Sequence, residues 1–303
     1  MRLGMFASRP AGPGHLGLWL EDGVLDLTAL GRKRDCAGLD LTSLEKLLAG
    51  HPEALPRLAG ITADLLESST REELASEGLL LPFSEINTLA PLSNPNKIVC
   101  VGLNYRDHCA EHGAEPPPHP ILFAKFSTAL TGPGCPIVKP AATHQLDYET
   151  ELAVVIARRG KNIPQAEAMN YVAGYTIFND VSARDIQFGD RQWLRGKTYD
   201  TFAPIGPHLV TADEVPDPQN LRLRCWVNGE LRQDGNTASM IFDVSSLIAF
   251  ISEVVTLLPG DLIATGTPAG VGVFRQPPVF LQPGDRIRME IEKLGVLENY
   301  VTA

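Results

Sequence analysis

The chain has 303 residues, 44% of them hydrophobic and 20% charged, an ordinary globular composition that suffices for one large domain or two unequal ones. Its formal charge of -10, with no Lys/Arg block, excludes the basic footprint of a nucleic-acid surface and leaves a small molecule as the expected partner. Cys36, Cys100, Cys109, Cys135 and Cys225 form no C-x-x-C pair and are odd in number, which fits reduced thiols rather than a disulfide framework. The N-terminal Met1-Arg2-Leu3-Gly4-Met5-Phe6 lacks the apolar core of a signal peptide, and no run approaches the roughly eighteen apolar residues of a membrane span. The expected location is the cytoplasm.

Residues 1 to about 80 mix strand-like pieces (Leu16 to Leu20, Gly23 to Leu27) with helical pieces (Leu41 to Leu48, Glu53 to Leu66) and close on the acidic Glu67 to Glu77. They read as a small N-terminal α/β domain without a catalytic constellation. A Pro- and Asn-bearing passage, Ala90 to Asn96, reads as part of a linker over 81–96. From residue 97 onward β-branched runs alternate with Gly/Pro turns: Ile98 to Val101, Ile121 to Phe126, Leu152 to Ala157, Tyr171 to Asn179, Leu221 to Val227, Leu262 to Thr265 and Arg286 to Ile291. Helical patterns are confined to Asn104 to His112, Val181 to Phe188 and Ser245 to Leu257. The prediction is an α+β, strand-rich domain built on a mixed sheet or β-roll, rather than a doubly wound α/β fold.

Within the stretch Gly102 to Gly113, Asn104 is the expected N-cap and Gly113 the C′ stop of a helix of about two turns. His108 and Glu111 stand three apart and share a face, where a carboxylate can orient an imidazole to accept a proton; a surface ion pair is the alternative. The following Ala114 to Pro118 is a loop able to act as a lid.

Asp147-Tyr148-Glu149-Thr150-Glu151 places an E-x-E at the head of the apolar run Leu152 to Ile156. On a strand both glutamates project to one side, about 7 Å apart. Two like charges in a buried strand are costly unless a cation or a shared proton offsets them; a solvated edge strand is the alternative. Downstream, the run Tyr175 to Phe178 ends at Asn179-Asp180, where a helix begins. Asp180 is either a cap, as Ser182 could also be, or a third metal ligand. Glu149, Glu151 and Asp180 together would leave roughly half of an octahedral Mg²⁺ shell open, and Asp147 is the reserve ligand.

Arg184 and Gln187 follow Asp180 at helical spacing and would face an anionic, oxygen-rich ligand, unless Arg184 simply pairs with Asp180. Lys197, set among aromatic and Gly/Pro residues in Gln192 to Pro207, is either a surface lysine or a cation aimed at developing negative charge. The turn Ala264 to Gly272 lacks the G-K-[ST] ending of a phosphate loop. The backbone N–H groups of Gly266 and Thr267, with the Thr267 hydroxyl, could hold a carboxylate there, or the segment is a plain tight turn.

Five ordered blocks, G-L-N-Y-x-D-H at 102–108, D-Y-E-T-E-L at 147–152, F-N-D-V-S-A-R-D at 178–185, R-G-K-T-Y-D-T-F-A-P-I-G-P at 195–207 and T-G-T-P-A-G-V-G at 265–272, resemble the fumarylacetoacetate hydrolase family over about residues 97–301. The resemblance implies a mixed β-sandwich roll, usually dimeric, with Glu149, Glu151 and Asp180 as ligands of a divalent metal: Mg²⁺, or alternatively Mn²⁺ or Ca²⁺. It further implies substrate contacts at Arg184, Gln187, Gly266, Thr267 and Lys197, and an acid/base dyad at His108 and Glu111.

Within the family, the stretch Gly270 to Leu281 and the ending Glu290 to Val296 look most like the domain-containing protein two group, associated with oxaloacetate tautomerisation. The Ile186 to Gln192 connection is shorter here. Bacterial fumarylpyruvate hydrolases, diketo-deoxysugar acid hydrolases and isomerase/decarboxylases are also similar. The shared chemistry is a 2-oxo acid chelated by Mg²⁺, whose enolate the metal and Lys197 stabilise. Hydrolysis of a C–C bond in an acylpyruvate or fumarylpyruvate is the first expectation. Oxaloacetate tautomerisation or decarboxylation is the alternative, and a dicarboxylate-binding protein with a structural metal is the non-enzymatic one.

Overall fold

The computed structural model describes residues 1–9, 12–51 and 53–303. Strands β1 (Arg2–Ala7), β2 (His15–Trp19) and β3 (Val24–Asp26) form an antiparallel meander, followed by helices α1 (Leu27–Lys33), α2 (Leu44–Gly50), α3 (Ala54–Ser68) and α4 (Arg71–Ser76). Side chains start three of these helices by accepting hydrogen bonds from free backbone N–H groups. Asp26 accepts from Ala29, Ser43 accepts from Lys46, and Thr70 with Glu73 makes a reciprocal capping box in the acidic passage. Each such cap contributes about 1 kcal/mol. Strands β4 (Leu80–Leu81) and β5 (Asn87–Leu89) return to pair with β3 and β1.

The rest of the chain runs β6 (Ile98–Gly102), α5 (Arg106–His112), β7 (Ile121–Lys125), β8 (Leu130–Thr131), β9 (Pro136–Val138), β10 (Leu146–Asp147), β11 (Thr150–Ile156), β12 (Val172–Asn179) and β13 (Ser182–Ala183). It continues through α6 (Arg184–Gly189), α7 (Trp193–Lys197), β14 (Ala203–Thr211), β15 (Arg222–Val227), β16 (Glu230–Asn236), α8 (Val244–Val254), β17 (Leu262–Ala264), β18 (Arg286–Ile291) and β19 (Gly295–Thr302). A large mixed sheet is ordered β4-β3-β2-β1-β14-β12-β11-β17-β6-β7, with β5 attached to β1 and β8 to β14. A smaller sheet is ordered β16-β15-β18-β19-β9, and β10 pairs with β13. This is the strand-rich α+β architecture with short helices that the sequence implied.

Two apolar cores flank the large sheet. Leu152, Val154 and Ile156 of β11 join Leu223, Met289 and Leu297 of the smaller sheet and Leu247, Ile248 and Ile251 of α8. Ala153 and Val155, on the opposite parity, join Leu3, Leu16, Leu44 and Leu58 together with Ile98, Phe178 and Leu262. Burying each Leu, Val or Ile contributes about 1.5–3 kcal/mol. Residues on both sides of the 81–96 segment therefore share one core, and Leu3 of β1 pairs with Leu209 of β14.

Strand β14 was not anticipated, because Pro204 and Pro207 argue against a central strand. The sheet tolerates them because β8 pairs only at Ala203 and Pro204, β1 pairs only at Leu209 and Val210, and the β12 register slips opposite Pro207.

Candidate active site and metal centre

Strand β11 lies inside the large sheet, between β12 and β17, and all of its residues are buried. The solvated-edge alternative for the E-x-E therefore fails. Glu149 is 6% and Glu151 1% exposed, while Asp180, just past the end of β12, is fully buried. Ligand oxygens of all three lie within 4.8 Å of one another. Burial pushes the Glu151 carboxyl well above the ordinary carboxylate range, and the charges of Asp180 and Glu149 act in the same direction. At Glu149 burial also opposes ionisation, but Lys197 and Arg184 outweigh it and hold the group well below that range. An all-oxygen set of converging, mutually repelling carboxylates fits a hard divalent cation.

Cations reach this cluster from two further elements. Lys197, at the end of α7, donates to Glu149 Oε2 and Asp180 Oδ2, each at 2.9 Å. Arg184, the first residue of α6, donates from Nε to Asp147 Oδ2 at 2.9 Å and places Nη2 2.7 Å from Glu149 Oε1; its Nη1 donates to Gln187 at 3.1 Å. Its partners are thus Asp147 and Glu149 rather than Asp180. Asp147 is not a spare ligand either, since its oxygens also accept the N–H groups of Tyr148, Gly272 and Val273. Neither Asp180 nor Ser182 caps α6: its N-cap is Ala183, and the Ser182 hydroxyl donates to the Asp180 carbonyl.

The Gly-rich turn does hold a carboxylate, but one of the protein's own. Gly266 N–H donates to Glu151 Oε2 at 2.9 Å, with Gly266 at φ +97° and the space for a Cβ only 2.9 Å from Asn104 Cβ. A side chain there would be strained and crowded at once. Thr267 donates its hydroxyl to Thr150 O at 3.0 Å and accepts from Gln233 Nε2 at 2.8 Å, while its side chain borders the cavity described below.

Asn104 is not the cap of α5, a place taken by Tyr105. Its amide instead donates to the Phe242 and Thr265 carbonyls and its oxygen accepts Phe242 N–H. Gly113 ends α5 in the left-handed conformation, as anticipated. His108 Nδ1 lies 3.2 Å from Glu111 Oε1, and Glu111 Oε2 accepts Gly270 N–H at 2.5 Å. In the neutral imidazole, an accepting carboxylate at Nδ1 selects the tautomer with the proton on Nδ1 and the lone pair on Nε2.

One cavity of ≈ 90 Å³ gathers His108, Glu149, Glu151, Arg184, Gln187, Lys197 and Thr267, with Phe123, Trp193, His112 and Phe274 at its apolar walls. Glu111, Gly266 and Asp180 stand directly behind these groups. A larger concavity of ≈ 570 Å³, on the smaller sheet around Trp226 and Tyr300, contains none of these groups, so chemistry rather than size locates the site. Lys125 escaped sequence reasoning: the last residue of β7 is buried, with its ammonium 2.6 Å from Asp180 Oδ1. A lone lysine in the apolar Ile121 to Phe126 was the available signal, the same one that singled out Lys197. Gln233, 1% exposed, was also missed; besides donating to Thr267 it accepts Thr150 N–H at 3.0 Å.

The family description "Fumarylacetoacetate (FAA) hydrolase C-terminal" matches residues 97–302. The chain is 49% identical over 306 residues to oxaloacetate tautomerase FAHD2B, mitochondrial, of Bos taurus, spanning 99% of this chain and 91% of that protein. It is 52% identical over 236 residues to oxaloacetate tautomerase FAHD2A, mitochondrial, of Homo sapiens, spanning 77% and 75% respectively. The structure of maleylpyruvate hydrolase from Sphingobium sp. SYK-6 in complex with manganese (II) ion and pyruvate matches with a TM-score of 0.76 at 33% identity, covering 100% of this chain and 99% of that one.

These relatives mark the chain as an enzyme and fit the keto–enol isomerase alternative better than the hydrolase reading placed first. They also overturn the cytoplasmic expectation, because both tautomerases are designated mitochondrial. The apolar core missing from the N-terminus is diagnostic of secretory signals. Mitochondrial presequences are Arg-rich and amphipathic, and that criterion is blind to them. Among the described residues no helix is long and apolar enough to cross a membrane.

Proposed function

The chain belongs to the fumarylacetoacetate hydrolase family, and on that footing we propose that it interconverts the keto and enol forms of a small 2-oxo dicarboxylic acid, oxaloacetate. In this reading Glu149, Glu151 and Asp180 hold Mg²⁺, and the working form is a homodimer. The observation that carries the proposal is the opening of an oriented imidazole, His108, into the same small cavity as the carboxylate triad. A binding protein with a structural metal has no use for such a base. Phe274, Trp193 and Phe123 wall the cavity with apolar surface beside the charged groups, as suits a small acid held by a few polar contacts.

When bound, the divalent cation supplies positive charge for the carboxylate and 2-oxo oxygens of the substrate. Four buried carboxylates (Asp147, Glu149, Glu151, Asp180) face three buried cations (Lys125, Arg184, Lys197), so the protein leaves room for that extra charge. His108 Nε2 takes a proton from C3 of the keto acid. The electron pair left behind moves to the 2-oxo oxygen, which takes a proton from the His108 imidazolium, directly or through water, so that the enol forms and the imidazole is restored; the reverse sequence restores the ketone. Glu111 holds the imidazole in the tautomer this requires. Lys197 stands beside the oxygen where negative charge develops, and Arg184 with Gln187 offers donors to a carboxylate.

The test is the decay of the ultraviolet absorbance of enol-oxaloacetate in the presence of Mg²⁺, set beside hydrolysis of acetylpyruvate and fumarylpyruvate, with Glu149→Ala as control. Tautomerisation much faster than hydrolysis is expected. Efficient hydrolysis with no acceleration of tautomerisation would return the site to the hydrolase reading, and turnover that survives Glu149→Ala would remove the metal assignment. Sedimentation of the purified protein checks the dimer.

A further inference from the structure

Lys125 is 2% exposed, and four oxygens surround its ammonium: the main-chain carbonyls of Val181 at 3.0 Å, Phe202 at 2.7 Å and Lys197, and Asp180 Oδ1 at 2.6 Å. An ammonium has only three protons to donate, so the oxygens outnumber its hydrogen bonds and form a coordination shell around a positive charge. Carbonyls with one carboxylate oxygen are also the donor type chosen by hard metal cations. The three carbonyls come from separate places, immediately after Asp180, at the end of α7 and immediately before β14. Asp180 is consequently held between two ammonium groups, Lys125 on Oδ1 and Lys197 on Oδ2.

We propose that Lys125 is a tethered ammonium plugging a built-in cation site behind the triad. It has three consequences. It fixes which oxygen of Asp180 is turned toward the metal, and it anchors the backbone of Lys197, so that the segments carrying both groups are placed before any ligand arrives. It also excludes a second metal ion from a cage that would otherwise accept one. Lys125 is a positioning residue: it acts through Asp180 and Lys197 and is absent from the cavity wall. The inference rests on the assignment of Asp180 as a metal ligand.

The experiment measures Mn²⁺ and Mg²⁺ binding by calorimetry and melting of the metal-free protein, for wild type, Lys125→Ala and Lys125→Gln. Loss of such a supporting contact is expected to weaken metal affinity roughly 10–100-fold. Ammonium or methylammonium should restore both melting temperature and metal affinity to Lys125→Ala in a saturable manner. Tetramethylammonium, too large for the cage, should not at equal ionic strength. Recovery of folded Lys125→Ala only in the presence of ammonium is the same result in another form.

Lys125→Gln fills the cage without charge, so metal affinity within twofold of wild type in that variant overturns the proposal. Equal effects of ammonium and tetramethylammonium on Lys125→Ala do so too. If wild type itself binds neither metal, the underlying assignment of the triad fails. If wild type binds and both variants bind equally well, only the role of Lys125 fails.

Discussion

Glu111 and Gly270 tie the helix that carries His108 to the Gly-rich turn: the N–H of Gly270 donates to Glu111 Oε2, while the other oxygen faces His108. Gly270 adopts φ +107°, and a Cβ there would lie 2.1 Å from Arg232 O, so the glycine is what lets its amide reach Glu111. His108→Gln is expected to lower kcat by roughly 10²–10⁴ while leaving Mn²⁺ affinity within a few-fold of wild type. Glu111→Gln should cost less, about tenfold, because the imidazole survives but its tautomer is no longer fixed. Titration calorimetry beside enol-decay kinetics separates the two effects, and loss of metal binding in His108→Gln would contradict the division of labour.

Among the described residues Glu151 has no cationic hydrogen-bond partner; its side chain accepts the Gly266 N–H and sits beside two other carboxylates. Glu151→Gln keeps the shape and removes the charge. The metal-free variant should melt a few degrees above metal-free wild type, because the buried Glu151 must either keep an uncompensated charge or take up a proton on folding, and Gln does neither. Its metal affinity should nevertheless fall, by roughly 100-fold. Chelator should then lower the melting temperature of wild type but hardly move that of the variant. A variant that is less stable without metal would show that Glu151 is not under electrostatic strain.

Truncation tests how far the first ninety or so residues are structural. A chain beginning at Lys97 loses β1, which covers the edge of β14, and uncovers Val155, Phe178 and Leu262 on one face of the large sheet. Exposed strand edges and apolar faces associate. The shortened chain is expected to be insoluble or to lack a cooperative melting transition, as judged by circular dichroism. A soluble, cooperatively folding 97–303 fragment would make the N-terminal segment an independent unit.

His208 supplies a stability change with pH that is remote from the catalytic groups. Burial, assisted by the Arg2 charge, depresses its imidazole from 6.5 to about 4, and its ring packs against Trp19 at 6.0 Å. The unfolded chain takes up this proton near 6.5, the folded protein only near 4. The contribution of His208 is therefore complete above pH 6.5 and is lost progressively as the pH falls through that window. At about pH 5 the loss is on the order of 2 kcal/mol. Urea unfolding at two pH values should show a smaller pH dependence for His208→Gln than for wild type; identical slopes would rule out this role.

Short spacings singled out the candidate residues but left each with an alternative: an edge strand for Glu149 and Glu151, a cap for Asp180, a surface pair for His108 and Glu111. The five ordered blocks together turned them into one expected site, and the structure brings these residues together around one cavity. What was misread depends on partners distant in the chain. Asn104 looked like a cap, but its amide is taken up by Phe242 and Thr265, more than a hundred residues away. Asp147 looked available until Arg184 and the Gly272 amide claimed it. The prolines of β14 argued against a strand, and only the staggered pairing of its neighbours shows why they fit.

The parallel pairing of β6 with β17 sets Ile98 beside Leu262 and Cys100 beside Ala264, so the helix bearing His108 and the turn bearing Gly266 and Gly270 leave the sheet from adjacent strand ends. The triad itself is seated on β11 and just beyond β12, a different pair of strands. In the function proposed above, ion binding and the handling of the bound acid thus fall on different strand pairs, joined by the hydrogen bond from Gly266 N–H to Glu151. Under that proposal, substitutions in the two loops that leave β6 and β17 would alter the handling of the bound acid, apart from Gly266, whose N–H also holds Glu151. A lineage built on this frame would then vary its chemistry through two neighbouring loops while the strands beneath them stay unchanged.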